Sequence, residues 1–275
     1  MYLKLPGGRL ALDHPVTMGI LNVTPDSFSD GGRFLNPESA LVQAMAMAAD
    51  GAAIIDIGGE STRPGAAPVT LEEELQRVIP VLEALAGRTT TAVSVDTSKP
   101  EVMVAAIEAG ASMINDVNAL RAPGALEAVA EGGAAVCLMH MLGEPRTMQS
   151  DPSYDNVVEE VFEFLAQRIE ACRVAGIPGH RIVVDPGFGF GKTLAHNLQL
   201  LRGLDRFCEL GTALMVGVSR KSMIGAVLDR PLEQRLAGSL ALALLAVERG
   251  AQILRVHDVG ATMDVLRMRA AVNGE

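Results

Sequence analysis

The chain has 275 residues, 49% of them hydrophobic and 20% charged with only 3% aromatic, a balance that supports a large aliphatic core and excludes a disordered chain. Its formal charge of −10 excludes broad contact with nucleic acid, which depends on Lys and Arg against phosphates; an anionic ligand must therefore meet a local cluster of cations. Cys137, Cys172 and Cys208 are far apart with no CxxC pairing and read as reduced, buried thiols. With no apolar leader and no run of about 18 apolar residues, the expectation is a soluble cytoplasmic protein with no membrane partner.

In chain order, residues 1–15 place Leu3, Leu5, Leu10 and Leu12 around Pro6, Gly7 and Gly8, the pattern of a short hairpin that caps one end of the fold. Short runs rich in Val, Ile and Leu then alternate with longer amphipathic stretches, the rhythm of repeated βα units on a parallel sheet. The predicted strands are 16–21, 53–57, 92–95, 112–115, 135–139, 181–184, 213–216 and 252–256, each followed by a helical segment. Pro100 and Glu101 open one helix, while Gly110 and Gly250 close two others. Eight units predict a closed (β/α)8 TIM barrel, an α/β architecture that commonly fills about 250 residues, as one domain over 1–275 with 1–15 as its N-terminal hairpin. A doubly wound open sheet is the competing architecture, but its Gly-rich dinucleotide fingerprint is missing after the first strand.

In such a barrel the loops after the strands converge on one face. Here the strands deliver, in order, Asn22; Glu60 with Thr62 and Arg63; Asp96; Asn115 with Asp116; His140; Asp185; Ser219, Arg220 and Lys221; and Arg255 with His257 and Asp258. Asp96, Asn115 and Asp185 form an acidic and amide group, and Arg63, Arg220, Lys221, Arg255 and His257 a basic one, so a bipolar ligand is implied. Buried carboxylates need donors, supplied either by Lys221 and the amidine-like edge of a heterocycle or by ion pairs with Lys221 and Arg255. Arg255 and His257 flank Val256 on an extended segment and share one face, where they can clamp an anion.

Residues 19–32 (GILNVTPDSFSDGG) and 56–66 (DIGGESTRPGA) resemble the two signature loops of the dihydropteroate synthase family. Further ordered matches are 94–97 (SVDT), 114–117 (INDV), 185–193 (DPGFGFGKT), 217–222 (GVSRKS) and 255–258 (RVHD). The resemblance implies a pterin-binding TIM barrel in folate biosynthesis. The amine of 4-aminobenzoate displaces diphosphate from the CH2 of 6-hydroxymethyl-7,8-dihydropterin diphosphate, through a loose, cation-like transition state. By the same resemblance the pterin pocket comprises Asp96, Asn115, Met139, Asp185, Phe190, Gly217, Lys221 and Arg255. Asn22, Arg63, Arg255 and His257 bind diphosphate, with Mg2+ on Asn22. Phe28, Thr62, Arg63, Pro64, Phe190, Ser219 and Lys221 receive 4-aminobenzoate, Ser219 and the helix start beyond it holding the carboxylate. The catalytic set is Asn22, Lys221, Arg255 and His257, with Asp30 ordering the first loop. Sulfonamides as competitive inhibitors and a homodimer through far-side helices complete the implied picture.

The glycine pairs Gly31–Gly32 and Gly58–Gly59 suit loops that close over substrates. The run 187–193 falls short of a P-loop, because Pro186 stands where glycine is needed; it reads as a flexible turn presenting Phe190. His14, His180 and His196 lack metal-ligand spacing, and Met45 and Met47 suit core packing or a subunit contact. A pterin-dependent methyltransferase shares this barrel and acidic pocket, but has no use for the 62–64 and 219–221 blocks. A non-catalytic pterin-binding paralogue has no use for Asn22, Arg63, Lys221, Arg255 and His257.

Overall fold

The computed structural model describes residues 1–24, 37–61, 67–144 and 147–275. Strands β3 (Val16–Asn22), β4 (Ile54–Gly58), β5 (Ala92–Asp96), β6 (Met113–Asp116), β7 (Ala135–Met139), β8 (Ile182–Asp185), β9 (Ala213–Val216) and β10 (Ile253–Val256) are all parallel and close into a barrel in the order β10-β3-β4-β5-β6-β7-β8-β9. Closure is made by β10, which pairs with β9 and with β3, where Arg255 stands opposite Met18. Each predicted strand is present, and five of them extend one residue further to take in Asn22, Gly58, Asp96, Asp116 and Asp185.

The helices between strands are α1 (Pro37–Ala49), α2 (Leu71–Leu85), α3 (Pro100–Glu108), α4 (Ala125–Gly132), α5 (Val157–Val174), α6 (Leu194–Arg202), α7 (Ser222–Leu228), α8 (Leu236–Val247) and α9 (Val259–Asn273). β9 is followed by two of them, α7 and α8. α2 begins at a capping box in which Thr70 and Glu73 satisfy each other's backbone N–H groups. The helices bury Val78, Leu82, Met103, Val129, Leu165 and Leu200 against the outward face of the barrel, in one continuous shell.

The hairpin of β1 (Tyr2–Leu5) and β2 (Gly8–Ala11) is antiparallel, with Leu3 opposite Leu10. Leu3, Leu5 and Leu12 join Met18, Ile54, Met113, Val183, Met215 and Ile253 in a second core that fills the barrel's lower interior. That plug closes the N-terminal end and leaves the opposite end for polar groups. Cys137 and Cys172 are buried as expected, but Cys208 is exposed. It lies in the short helical stretch Leu204–Leu210, whose inward positions are taken by Leu204 and Phe207. Among the described residues no helix is long and apolar enough to cross a membrane.

Candidate active site

Side chains of a strand alternate faces, so every second residue of each strand enters the barrel. Along β3 these are Met18, Ile20 and Asn22; along β5, Ala92, Ser94 and Asp96; along β8, Val183 and Asp185; along β10, Ile253 and Arg255. The inward series thus changes from apolar to polar toward the strand C-termini. There the barrel opens into a cavity of about 490 Å³ lined by Asn22, Asp96, Asn115, Met139, Asp185, Phe190, Gly217, Ser219, Lys221, Arg255 and His257. All eleven described residues assigned a site role from sequence therefore meet in one mouth.

Its floor is a charge network. Arg255 Nη2 donates to Asp96 Oδ2 at 2.8 Å, and Arg255 Nε donates to Asp56 Oδ2 at 2.6 Å. Burial opposes the Arg255 charge, yet the two carboxylates outweigh it and raise the guanidinium above its ordinary value. Burial pushes Asp96 up to about 7 against the pull of Arg255. Burial also raises Asp185, although Gly187 N–H donates to its Oδ1 at 2.7 Å. Lys221 is brought down to about 8 by burial, with Asp185 opposing. Of the ion pairs weighed from sequence, Arg255 with Asp96 is formed, whereas Lys221 Nζ donates to Phe188 O at 2.8 Å and sits 4.3 Å from the centre of the Phe190 ring.

The 187–192 segment is tied, not flexible. Its six successive carbonyls each accept from a side chain: Gly187 from Lys192 (3.0 Å), Phe188 from Lys221, Gly189 from Gln149 (2.6 Å), Phe190 from Lys192 (3.0 Å), Gly191 from Tyr154 (2.8 Å) and Lys192 from Asn197 (3.3 Å). The turn also passes so close to the end of the neighbouring β7 that a Cβ on Gly187, where φ is +71°, would fall 1.9 Å from His140 O. Only glycine fits there. Phe190 is thereby presented to the cavity from a fixed backbone.

On the adjoining wall, after β9, Arg220 adopts left-handed backbone geometry (φ +57°) between Ser219 and Lys221. Its N–H donates to Ser239 Oγ and its guanidinium donates two hydrogen bonds to the Asp258 carboxylate, Nε to Oδ2 and Nη2 to Oδ1, which offsets the roughly 1–2 kcal/mol cost of that conformation. Arg220 is thus a wall-building residue, and its charge is answered by Asp258. Ser219 Oγ accepts from His257 N–H and lies 3.0 Å from His257 Nδ1, while α7 starts just beyond at Ser222. Arg255 and His257 share the cavity as their spacing implied, but Arg255 turns down to the carboxylates and His257 across to Ser219.

The pterin-binding enzyme family model matches residues 18–257. Dihydropteroate synthases of Escherichia coli strain K12 and Haemophilus influenzae are each 54% identical, over 98% and 94% of this chain and 95% and 94% of theirs. The chain belongs to the dihydropteroate synthase family. Among solved structures, the Yersinia pestis dihydropteroate synthase with a sulfonamide drug complex superposes with a TM-score of 0.95 at 51% identity, covering 100% of both chains. The Xanthomonas albilineans synthase with 4-aminobenzoic acid gives 0.94 at 55%, covering 100% of this chain and 98% of its own, and a complex with 7,8-dihydropteroate gives 0.91 at 51%, covering 100% of both.

Within this family member, Phe28, Asp30, Gly31, Gly32, Thr62, Arg63 and Pro64 lie outside the described residues. The Gly58–Gly59 pair does not form a closing loop: Gly58 ends β4, and a Cβ on Gly59 would lie 2.7 Å from Val78 Cγ2 of α2, so this glycine permits helix packing. Asp116 faces away from the cavity, accepting from Ser98 Oγ and from the N–H groups of Asn118 and Leu120 to build the turn after β6. Glu60 borders the cavity and is bridged by Lys99 to the buried Glu74 of α2. His140 is paired with Lys192. His196 completes the α6 capping box, and Met47 packs in the core.

Sequence reasoning missed Asp56 and the Lys192–His140 pair. Asp56 sits mid-strand in an otherwise apolar run, and a charge at a fully buried strand position is itself the signal, since such a group needs partners. Lys192 and His140 are 52 residues apart in sequence, and no local pattern joins them.

Proposed function

We propose that this cavity carries out the dihydropteroate synthase reaction with the residues in the following roles. Asp96, Asn115 and Asp185 accept from the 2-amino and ring N–H groups of the dihydropterin, and Lys221 donates to its carbonyl and ring nitrogen. Met139, Phe190 and Gly217 form the walls. Carboxylates and an amide converging with Lys221 and Arg255 at one barrel mouth is the observation that carries the reading.

The amine nitrogen of 4-aminobenzoate attacks the exocyclic CH2, the CH2–O bond breaks, and the electron pair leaves with diphosphate. The amine is neutral at pH 7 and needs no strong base; its proton passes to solvent or to the departing diphosphate. Negative charge grows on the leaving group, where Arg255, His257 and Arg63 stabilise it. Because Arg255 is already anchored by Asp56 and Asp96, it meets that charge without reorganising. Asn22, Phe28, Thr62 and Pro64, with Ser219, Lys221 and Phe190, complete the diphosphate and benzoate sites, and Asp30 orders the first loop. Sulfonamides, matching the benzoate in shape and charge, compete for it.

Mg2+ suits Asn22, a hard oxygen donor at the mouth, because this ion keeps much of its shell as water and phosphate oxygen. Among the described residues no cluster of three or more acidic, His or Cys side chains offers a protein-made cage, so the ion would arrive with the diphosphate and withdraw charge from it. We further place the enzyme in the cytoplasm as a homodimer. Leu236, Leu244 and Leu245 of α8, with Val227 and Leu228 of α7, are exposed on neighbouring helices, and it is to these apolar side chains that we assign the subunit contact.

Diphosphate release measured with and without 4-aminobenzoate tests the function: release that depends on the amine and yields dihydropteroate is expected, and release indifferent to it overturns the reading.

A further inference from the structure

Asp56 is fully buried on β4, does not line the cavity, and holds two residues that do. Its Oδ2 accepts from Asn115 Nδ2 at 3.0 Å and from Arg255 Nε at 2.6 Å. Its Oδ1 has no hydrogen-bond partner among the described residues. A carboxylate that leaves one oxygen unmatched in a closed interior carries a desolvation cost, and an apolar side chain there would carry none. What the carboxylate does that an apolar group would not is accept and never donate.

That one-way chemistry decides which atom of Asn115 meets the ligand. An amide has a donor arm and an acceptor arm; with Nδ2 drawn to Asp56, Oδ1 is the atom left for the cavity. The two neighbouring carboxylates are similarly half-spent, Asp96 Oδ2 on Arg255 and Asp185 Oδ1 on Gly187, and each keeps its other oxygen. We propose that Asp56 is a positioning residue that fixes the polarity of the heterocycle pocket, holding the Asn115 amide so that the pocket presents acceptors to a 2-amino ring and rejects a 2-oxo one. The inference rests on the pterin reading of this cavity and assigns its specificity to a residue that does not touch the substrate.

The test compares equilibrium binding of 6-hydroxymethylpterin and its 2,4-dioxo analogue, 6-hydroxymethyllumazine. The native enzyme is expected to favour the 2-amino ring by about 100-fold or more, as sites built around a hydrogen-bonding edge do. Asp56→Asn frees the Asn115 amide to turn, and the preference should fall at least tenfold. The double exchange Asp56→Asn with Asn115→Asp keeps one carboxylate and one amide but swaps them, so that the amide now on β4 donates and position 115 again offers an acceptor; the preference should return.

A native enzyme without the preference would sink the pterin reading of the pocket. A native enzyme that has it, with the ratio unchanged in Asp56→Asn or unrestored in the exchange, overturns the role of Asp56 alone. A merely structural role would lower the melting temperature and leave the ratio where it was. Should the single variant not fold, neutron diffraction of the native protein decides: Nδ2 of Asn115 toward Asp56 is expected, and Oδ1 toward Asp56 overturns the proposal.

Discussion

Lys192 Nζ lies 2.9 Å from His140 Nδ1 inside the protein, with the remaining lysine hydrogens directed to the carbonyls of Gly187 and Phe190. Burial lowers Lys192 to about 7, so below that pH it is an ammonium that only donates, Nδ1 of His140 must accept and the ring is neutral. Burial, reinforced by the Lys192 charge, holds His140 down to about 2. The folded state therefore binds fewer protons here than the unfolded chain does between the ordinary histidine value of about 6.5 and 2. This group's contribution to stability is present above about 6.5 and is lost as pH falls toward 2. His140→Gln keeps an acceptor for Lys192 and cannot charge, so urea melts at pH 7 and pH 4 should show a smaller acid loss in the variant than in the native protein. Raised carboxylates such as Asp96 act in the opposite sense but are common to both proteins. Equal acid losses would contradict the neutral pairing.

Lys192 itself ties the 187–192 turn at two carbonyls. Lys192→Met fills the space without donating and leaves those acceptors unmatched. Charged donors contribute about 1.5–3 kcal/mol per bond, offset by the cost of burying the ammonium. A net loss of about 2 kcal/mol is expected, roughly 4–8 °C in Tm for a domain of this size. Because Phe188 O anchors Lys221 and Phe190 stacks on it, KM for the pterin substrate should rise together with the loss of stability. A stable variant with unchanged KM would mean that Gln149, Tyr154, Asn197 and Lys221 hold the turn without Lys192.

The barrel was legible in the sequence because its parallel strands are buried on both faces and so read as unbroken Val, Ile and Leu runs. The residues at their ends were legible because the topology sends every strand terminus to one place: Asp185 and Arg255, 70 positions apart in number, line one mouth because β8 and β10 flank β9. The hairpin announced itself through alternating leucines about a Pro-Gly-Gly turn. What stayed hidden is pairwise. Nothing near Arg220 in sequence says that its charge goes to Asp258, and nothing near Gly187 says that His140 O blocks a side chain. A glycine-rich run is read as mobile when its tethers arrive from distant segments, here Gln149, Tyr154, Asn197 and Lys221.

The two most charged members of the mouth should fail differently. Lys221 donates to one carbonyl and faces the cavity, so Lys221→Ala is expected to lower kcat/KM by orders of magnitude with a modest change in Tm. Arg255→Ala strips the partner from Asp96 and Asp56, both buried, and breaking such a pair costs about 3–5 kcal/mol. Thermal melts beside steady-state kinetics separate the two. An Arg255→Ala protein as stable as the native one would show that the guanidinium is not what compensates these carboxylates.

If α7 and α8 carry the homodimer contact, a charge in the middle of that face must oppose assembly. Leu245→Glu alters an exposed side chain remote from the barrel interior, so monomer folding should survive. Sedimentation equilibrium is expected to give a dimer for the native chain and a monomer for the variant at micromolar concentration. A native monomer, or an undisturbed dimer of Leu245→Glu, would remove this face from consideration.

Substrate binding should move protons, in a direction that reverses with pH. In the free enzyme burial has pushed Asp96 up to about 7 and brought Lys221 down to about 8. A bound dihydropterin donates to Asp96 and so favours the carboxylate, lowering that value. Its carbonyl and ring nitrogen accept from Lys221 and so favour the ammonium, raising that one. At pH 6 Asp96 begins largely protonated and must release its proton on binding. Near pH 8.5 Lys221 begins largely neutral and must take one up. Titration calorimetry with 6-hydroxymethyl-7,8-dihydropterin, in buffers of different ionisation enthalpy, reads the proton count directly. Net release at pH 6 and net uptake at pH 8.5 are expected, with the release reduced in Asp96→Asn and the remainder coming from Asp185, which burial also raises. An enthalpy independent of buffer at both pH values would show that neither group changes its proton when the ring arrives, and the acceptor role of Asp96 would fall with it.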